Sequence, residues 1–382
     1  MSEEFVVSFC QELIRAPSLP GHEEYAAEVV VRAMHDFEFD TVATDKYGSV
    51  IGIRKGSAPG PTLLLDAHLD VVPATDLDQW QHDPFRGEIS DQRIWGRGAC
   101  DDKGVLAGML CGVGGVPSEL FRGEIIVSAS VCEEILTGAA LAHILDCYAP
   151  AMVIVGEPTG LKLGTAQKGR AGIVVHTRGR GAHTSRPELG DNAVYRMIDA
   201  ILRLRSLELP GDSELGRGIL ELTEIVSEPF PGGGVVPFGC RAHFVERTMP
   251  GETEEQVLTR LQNAVHGLDN VSVQFDQLTQ QCYTGNTLST LDFVAGWHAI
   301  GENVWQARIL AELQDAGLST KTFAAPYGTN ASTSAGIRGI PTVIFGPGSI
   351  EQAHTVDEWI AIDELLMSKR AYAAIIKACL GI

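Results

Sequence analysis

Residues 62–70 decide the fold class, and they read Thr62-Leu63-Leu64-Leu65-Asp66-Ala67-His68-Leu69-Asp70. This short apolar run follows a Pro-Gly-Pro turn, and its length and boundaries are typical of a buried strand. Two further runs of the same kind occupy residues 124–129 and 152–156. Helical spacing of apolar residues lies between the runs, over 103–112 and 137–147. The sequence therefore predicts an α/β sheet covered by helices on both faces.

The middle of the chain has a different pattern. Four strand-like stretches are combined with two long helical stretches, over 191–207 and 253–265, which predicts a compact α+β unit. After this unit the alternating pattern of strand and helix resumes, and 382 residues are enough for two domains of ordinary size. We therefore expect one α/β domain formed by 1–167 and 287–382, interrupted by an inserted domain over 168–286.

Composition excludes several classes of protein. The 49 acidic residues outnumber the 29 basic ones, giving a formal net charge of −20, which argues against binding to nucleic acid or to an anionic membrane. No apolar stretch has the length of a transmembrane helix, and the first residues do not resemble a secretory signal. The eight cysteines are scattered without a C-x-x-C pair. Reduced thiols in a cytoplasmic protein are the simplest interpretation.

Several of the predicted strands end in residues that bind metals. His68 and Asp70 are two apart in an extended segment, so their side chains share a face and Asp70 can orient the imidazole. Taken alone, this pair is more simply explained as a strand-end turn. Asp101 and Asp102 lie together in a glycine-containing stretch, where an N-cap for the following helix is an equally good explanation.

Other strand ends carry the same residue types. Glu133 and Glu134 end the second apolar run, Glu157 follows the third, and His354 follows the last predicted strand. Adjacent carboxylates on a strand face opposite sides, so one can bind a metal while the other transfers a proton. Open α/β sheets form their sites at the C-terminal ends of strands. Histidine and carboxylate ligands without cysteine suit Zn²⁺, with Co²⁺ or Mn²⁺ as alternatives.

This set of motifs resembles the co-catalytic di-zinc metallopeptidase and amidohydrolase family. The family includes aminoacylase, acetylornithine deacetylase, succinyl-diaminopimelate desuccinylase and the glutamate-releasing carboxypeptidase. The resemblance covers the whole chain, with the motifs in order: His68-x-Asp70, Gly-Arg-Gly-Ala-x-Asp101-x-Lys-Gly, Glu133-Glu134, Glu157-Pro158 and His354. It implies a phosphorylase/hydrolase-like catalytic domain and an inserted dimerisation, or lid, domain of about four strands and two helices.

Within this family the chain is most similar to a branch of uncharacterised peptidase-like hydrolases linked to selenium metabolism. The similarity rests on Trp80-x-His82-Asp83-Pro84-Phe85, on residues 218–223 and on residues 345–348. The branch supplies no substrate.

The resemblance implies that two divalent metal ions are held by five ligands: His68, Asp101, Glu134, Glu157 and His354. Asp101 would bridge the ions, His68 and Glu157 would complete one site, and Glu134 and His354 would complete the other. The peptide bond between Asp101 and its successor is cis in the family.

The resemblance also implies the roles of three catalytic residues. Glu133 would be the general base, taking a proton from water and passing it to the leaving amine after attack by a metal-bound hydroxide. Asp70 would orient the first histidine ligand. His183 matches a histidine that, in dimeric members, reaches the partner's active site and stabilises the oxyanion; a surface-loop histidine is the alternative. A homodimer is therefore expected.

Substrate contacts are implied for three further residues. Arg247 matches an arginine that binds the substrate carboxylate, with a strand-end salt bridge as the alternative. Thr329 and Asn330 lie in the stretch that faces the substrate in relatives.

Some family positions carry different residues here. These departures are Asp102, Gly234, Phe238, Val245 and Asn330. They fall among support and substrate-recognition positions, so the resemblance does not name the substrate. We expect hydrolysis of an amide bond, N-acyl or peptide, in a small amino-acid-derived or peptide substrate that bears a carboxylate. The alternatives are cleavage of a ureido or carbamoyl bond and, in a different class, a non-catalytic dimeric binding protein stabilised by metal.

Overall fold

The computed structural model describes residues 2–299 and 304–381. Within this part of the chain there are nine α-helices and twenty-one strands. The helices are α1 (Glu3–Arg15), α2 (Glu24–Asp36), α3 (Lys103–Gly114), α4 (Glu133–Leu136), α5 (Ala139–Cys147), α6 (Ala193–Arg205), α7 (Glu254–Ala264), α8 (Val304–Asp315) and α9 (Ile362–Leu380).

The strands fall into one large sheet, a second sheet and three small ones. Their bounds are β1 (Thr41–Thr44), β2 (Val50–Lys55), β3 (Thr62–His68), β4 (Glu88–Ser90), β5 (Arg93–Trp95), β6 (Glu124–Ser130), β7 (Met152–Val155), β8 (Leu163–Gln167), β9 (Arg170–Arg178), β10 (Gly211–Asp212), β11 (Gly216–Arg217), β12 (Ile219–Glu228), β13 (Gly239–Arg247), β14 (Val271–Phe275), β15 (Gln277–Gln281), β16 (Thr287–Leu291), β17 (Phe293–Val294), β18 (Trp297–His298), β19 (Thr322–Ala325), β20 (Thr342–Ile344) and β21 (Trp359–Ala361).

The large sheet has the strand order β1-β2-β6-β3-β7-β20-β8-β18, and β19 pairs with β8. Its centre is parallel, because β3 pairs in parallel with β6 and β7, and β20 pairs in parallel with β7. The carboxyl ends of these four strands therefore meet at one edge of the sheet. This edge is where the candidate site lies.

Both faces of the large sheet are covered, as the apolar runs predict. Leu63 and Leu65 of β3 pack into the core beneath α1, α2, α3 and α9. Leu64 points the other way, into a core that includes Ile144 of α5. Helices α3 and α9 approach closely, since a side chain at Gly108 would collide with Ser368.

The second sheet is antiparallel, with the order β12-β13-β9-β14, and β17 pairs with β9. Helices α6 and α7 bury their apolar faces on it, with Met197 and Leu261 packed against Val175 and Phe244. The predicted α/β fold with an α+β unit in the middle of the chain is confirmed. The hairpin β15–β16 instead places Leu288 in the core of the large sheet, and the domain boundary near residue 286 stays a prediction.

One predicted helix differs in its start. The helix predicted over 137–147 begins at Ala139, and the separate single turn α4 precedes it. Cys132 and Gly138 have φ values of 58° and 84°, in the left-handed region that interrupts a helix. The sequence also predicts a helix over 303–317; the structure has α8 there, and residue 303 itself lies outside the described residues. Among the helices that the structure describes, none is long and apolar enough to cross a membrane.

Candidate active site

The candidate site is assembled from the ends of three adjacent parallel strands and two loops. His68 is the last residue of β3, Glu133 and Glu134 follow β6, and Glu157 follows β7. Asp101 comes from the loop that precedes α3. His354 comes from the loop between β20 and β21. Because the strand order brings β6, β3 and β7 side by side, residues more than 60 positions apart share one edge.

Asp101 is the centre of the cluster. Its Oδ1 lies 3.0 Å from Nε2 of His68, and its Oδ2 lies 3.3 Å from Nε2 of His354. Nε2 of His354 also lies 3.0 Å from Oε2 of Glu134. Three potential ligand atoms, one from each of His68, Asp101 and Glu134, lie within 4.8 Å of one another. A carboxylate with one oxygen toward each histidine has the arrangement needed to bridge two cations.

The carboxylates of the cluster carry more negative charge than the two imidazoles can offset. The pKa of Glu133 is raised to about 8, mainly by burial and also by the neighbouring charges of Glu134 and Asp70. Burial also raises the pKa of Glu157 well above its usual range, and the charges of Asp101 and Glu133 add to the effect. Asp101 is the exception, because hydrogen bonds with His354 and His68 outweigh burial and lower its pKa. An excess of buried carboxylate oxygens fits bound divalent cations.

Asp70 is completely buried and fixes the loop that carries both glutamates. Its Oδ1 accepts the backbone N–H of Glu133 at 2.9 Å, and its Oδ2 accepts that of Glu134 at 3.0 Å. Nδ1 of His68 is closer to the backbone carbonyl of Asp70, at 2.9 Å, than to its carboxylate, at 3.6 Å. The residue therefore orients the imidazole mainly through its main chain, while its side chain holds the Glu133–Glu134 turn.

The sequence pattern of Peptidase family M20/M25/M40 matches residues 64–378, a stretch that includes all five predicted ligands. The chain belongs to this family. It is 29% identical over 380 residues to the uncharacterised protein YgeY of Escherichia coli strain K12, covering 96% of this chain and 92% of that protein. It is also 29% identical over 332 residues to acetylornithine deacetylase of Myxococcus xanthus, covering 85% of this chain and 82% of that enzyme.

Solved structures of the M20 family have the same fold. The YXEP protein of Bacillus subtilis, a dinuclear metal binding peptidase of this family, superposes with a TM-score of 0.70 at 14% identity. The superposition covers 98% of this chain and 97% of that one. Family membership and these relatives make the chain a hydrolase that acts on amide bonds, and they support divalent metal binding at the acidic edge of the large sheet.

The loop of Asp101 is held by groups that the sequence did not single out. Glu358 accepts the N–H groups of Cys100 at 2.8 Å and of Asp101 at 3.0 Å through Oε1, and its Oε2 pairs with Arg97 at 2.5 Å. Arg97 and Glu358 are both buried. Charged side chains are rarely buried in a protein unless they are paired, as these two are. Two features of the sequence could have pointed to this ion pair: Arg97 lies inside a Gly-Arg-Gly stretch, and Glu358 follows His354 by four residues.

The peptide bond between Asp101 and Asp102 is cis, as the resemblance implied. Asp102 is buried, and its Oδ2 accepts the backbone N–H of His68 at 3.0 Å. This departure from the family pattern therefore links the Asp101 loop to the end of β3.

Thr329 and Asn330 differ from the expectation that they face the substrate. Their side chains are 0% and 2% exposed. The Thr329 hydroxyl donates to Oε1 of Gln167 at 2.8 Å, and the Asn330 amide donates to the buried Asp66 at 2.8 Å. The Asn330 carbonyl accepts the N–H of Gly138 at 2.6 Å. Because these polar groups already have protein partners, both residues position their loop rather than present donors to a ligand.

His183 is exposed in the loop between β9 and α6. The N–H of Ser185 donates to its Nδ1 at 3.1 Å, so the neutral imidazole carries its proton on Nε2. Among the described residues, no contact joins His183 to the five predicted ligands. Its Nε2–H is therefore a donor that the described residues leave available.

Arg247 is half-buried at the end of β13. Burial lowers the pKa of its guanidinium, and the nearby Arg170 lowers it further. In the described part of the chain no carboxylate lies within ion-pair distance of Arg247, whereas Arg170 pairs with Asp292 at 2.5 Å. The strand-end salt bridge that the sequence left open is not what the structure shows for Arg247.

Proposed function

We propose that this M20 hydrolase uses two divalent metal ions to cleave an N-acyl or peptide amide bond in a small substrate that bears a carboxylate. Zn²⁺ is the first candidate for these ions. The observation that carries the proposal is Asp101, whose two oxygens face one histidine each, beside the second carboxylate pair Glu133–Glu134. The relatives include an acetylornithine deacetylase and a dinuclear metal binding peptidase, which supports the same class of reaction.

The ligands divide into two sets around the shared carboxylate. His68 and Glu157 would hold one ion, Glu134 and His354 would hold the other, and Asp101 would contact both. When bound, such a pair of ions polarises the scissile carbonyl and lowers the pKa of a water molecule toward neutrality. Three carboxylates and two imidazoles without a thiolate are ligands that zinc, cobalt and manganese accept.

Glu133 is the general base of the proposal. It is buried beside its neighbour Glu134, and its backbone is fixed at both ends, since its N–H donates to Asp70 and its carbonyl accepts the Thr137 hydroxyl at 3.0 Å. A carboxylate held this way can accept a proton from the attacking water and deliver it to the leaving amine. A purely structural metal site has no use for this extra carboxylate.

Arg247 would bind the carboxylate of the substrate. Its guanidinium is half-buried and lacks an acidic partner in the described part of the chain. The carboxylate of a bound substrate would therefore supply the missing partner of an ion pair. The planar fork of arginine binds a carboxylate through two parallel hydrogen bonds. This contact would select amino-acid-derived and peptide substrates.

A homodimer is part of the proposal. Helix α6 carries an exposed apolar stripe of Tyr195, Ile198 and Leu202, which are 68%, 44% and 56% exposed. β12 lies at the edge of the second sheet on the same unit, and none of the described strands pairs with its outer side. A partner covering this face would bring in its own His183, whose Nε2–H would donate to the oxyanion.

We place the protein in the cytoplasm. Each of the eight cysteines lies in the described part of the chain and is unpaired, and seven of them are buried. Free thiols of this number suit a reducing compartment.

The test is an activity screen of the protein stripped with a chelator and reloaded with Zn²⁺, Co²⁺ or Mn²⁺. The panel holds N-acyl amino acids, dipeptides and ureido acids, with metal content measured on each sample. We expect metal-dependent turnover of N-acyl amino acids or dipeptides. Turnover restricted to ureido acids would assign carbamoyl chemistry instead, and unfolding on metal removal without turnover would support the structural-metal alternative.

A matched pair of variants isolates the base. Glu133→Gln keeps the size of the side chain and should retain both metal ions while lowering kcat at least 10³-fold, whereas Glu28→Gln changes an exposed glutamate of α2 and should behave as wild type. Near-normal activity of Glu133→Gln would remove Glu133 from the mechanism.

A further inference from the structure

Tyr327 carries a buried hydroxyl group without a hydrogen-bond partner among the described residues. Buried polar groups are almost always paired, because an unpaired one retains the full penalty of leaving water. The hydroxyls of the buried Tyr372 and of the partly buried Tyr283 do have partners. Tyr372 donates to the carbonyl of Phe345 at 2.7 Å, and Tyr283 donates to that of Gly48 at 2.8 Å. The hydroxyl of Tyr327 therefore differs from those of Tyr372 and Tyr283.

The ring of Tyr327 is held in place by its surroundings. It follows β19 and packs against the apolar core that contains Trp297 and Ile344. Thr329 and Asn330 follow two and three residues later, and their buried hydrogen bonds tie the loop to β8 and β3. A ring fixed in this way presents its hydroxyl at a defined position.

The ionisable groups that raise the pKa of this hydroxyl all belong to the metal-binding edge. After burial, the pKa of the phenol is raised most by Glu157, then by Asp101, Cys100 and Asp102. The loop also places the ring at this edge, because Asn330, three residues further on, donates to Asp66 of β3 and to Ser130 at the end of β6. A phenol is protonated at neutral pH and can donate there.

We propose that Tyr327 is a catalytic residue whose hydroxyl donates a hydrogen bond to the substrate carbonyl oxygen as it becomes an oxyanion beside Glu157. The inference rests on the proposed function and extends it with a donor from the same subunit. Donors aimed at the position where charge develops act mainly on the transition state. The unpaired state of the hydroxyl in the protein alone is then expected, because its partner arrives with the substrate.

The first test compares Tyr327→Phe with Tyr283→Phe, which removes a paired hydroxyl elsewhere. On the best substrate of the screen, with saturating metal, Tyr327→Phe should lower kcat about 10²-fold with KM nearly unchanged. Tyr283→Phe should stay within about twofold of wild type. The thermal midpoint of the metal-free protein should be unchanged or higher in Tyr327→Phe and lower in Tyr283→Phe, because only the second loses a hydrogen bond.

The second test does not depend on turnover. Butylboronic acid, which becomes tetrahedral on binding, is titrated into the Zn²⁺-loaded proteins by calorimetry, and we expect about tenfold weaker binding to Tyr327→Phe. Unchanged kcat together with equal boronate affinity, or no boronate binding to either protein, would overturn the proposal. A loss of zinc affinity in Tyr327→Phe with normal kcat at saturating metal would make Tyr327 a positioning residue for Glu157 instead. Wild-type protein that hydrolyses nothing in the panel would contradict the proposed function, while the boronate comparison would still decide the role of Tyr327.

Discussion

Glu358 holds the loop of Asp101, the proposed bridging carboxylate, in two ways, and two variants should separate them. One carboxylate oxygen accepts the N–H groups of Cys100 and Asp101, and the other pairs with Arg97. Glu358→Gln keeps an acceptor for the two N–H groups but removes the charge that Arg97 needs. The double variant Arg97→Met with Glu358→Met removes the buried charges together and leaves the two N–H groups without an acceptor.

The two variants should differ in zinc affinity more than in stability. Breaking one half of a buried ion pair costs about 3–5 kcal/mol, so Glu358→Gln should lose that much free energy of unfolding. Replacing both partners by methionine leaves no unpaired charge, but the two buried N–H groups without an acceptor cost about 1–3 kcal/mol each, so the double variant should be destabilised to a similar extent. Its zinc affinity should also fall, by about 10–100-fold, as for other changes to groups that orient a metal ligand. Glu358→Gln should stay within about tenfold of wild type in zinc affinity.

The assays are urea denaturation of the metal-free protein and competition for zinc against a chromophoric chelator, both at pH 8. This pH is chosen because burial raises the pKa of Glu358 to about 7, so that its carboxylate is mostly ionised during the measurement. The control is Glu351→Gln, an exposed glutamate of the neighbouring loop, which should change neither quantity. A loss of zinc affinity in Glu358→Gln as large as that in the double variant would refute the separation.

Three further outcomes are expected. Burial, followed by repulsion from Asp70, raises the pKa of Glu23 from 4.5 to about 7, so the folded protein binds an extra proton between these values. Its unfolding free energy should therefore fall by up to about 3 kcal/mol as pH rises through this window, and urea denaturation of Glu23→Gln should show that slope removed. Asn330→Asp places a second carboxylate against the buried Asp66 and should cost about 2–4 kcal/mol in the same assay, most of it restored by Asp66→Asn; a single variant as stable as wild type would contradict this contact. Arg247→Met should raise KM about 10–100-fold for substrates with a free carboxylate but not for their amides, with no loss in thermal midpoint.

The positions of the predicted ligands could be inferred from the sequence, because they follow the elements that the sequence shows most clearly. The apolar runs of β3, β6 and β7 mark buried parallel strands, and the polar residue after each run must lie at the same sheet edge. His68, Glu134 and Glu157 follow from this rule. The family pattern was needed to give Asp101 and His354 their roles, since loop residues obey no comparable periodicity.

The groups that support these ligands could not be predicted from the sequence. Glu358 accepts an N–H group 258 positions away, and Asn330 donates to Asp66 across 264 positions. Local patterns carry no information on such pairs, because a hydrogen bond depends on where the folded loops meet. The same reason explains why Thr329 and Asn330 were expected to face a substrate and are instead buried, and why the unpaired hydroxyl of Tyr327 was not singled out.

In the proposed function, five residues of this chain hold two divalent ions around Asp101. Anomalous diffraction from crystals of the zinc-loaded protein, collected above the zinc absorption edge, would locate these ions. We expect two peaks about 3.5–4 Å apart, one contacted by His68 and Glu157 and the other by Glu134 and His354, with Asp101 between them. Zinc at full occupancy in a single position, or bound away from Asp101, would contradict the proposal.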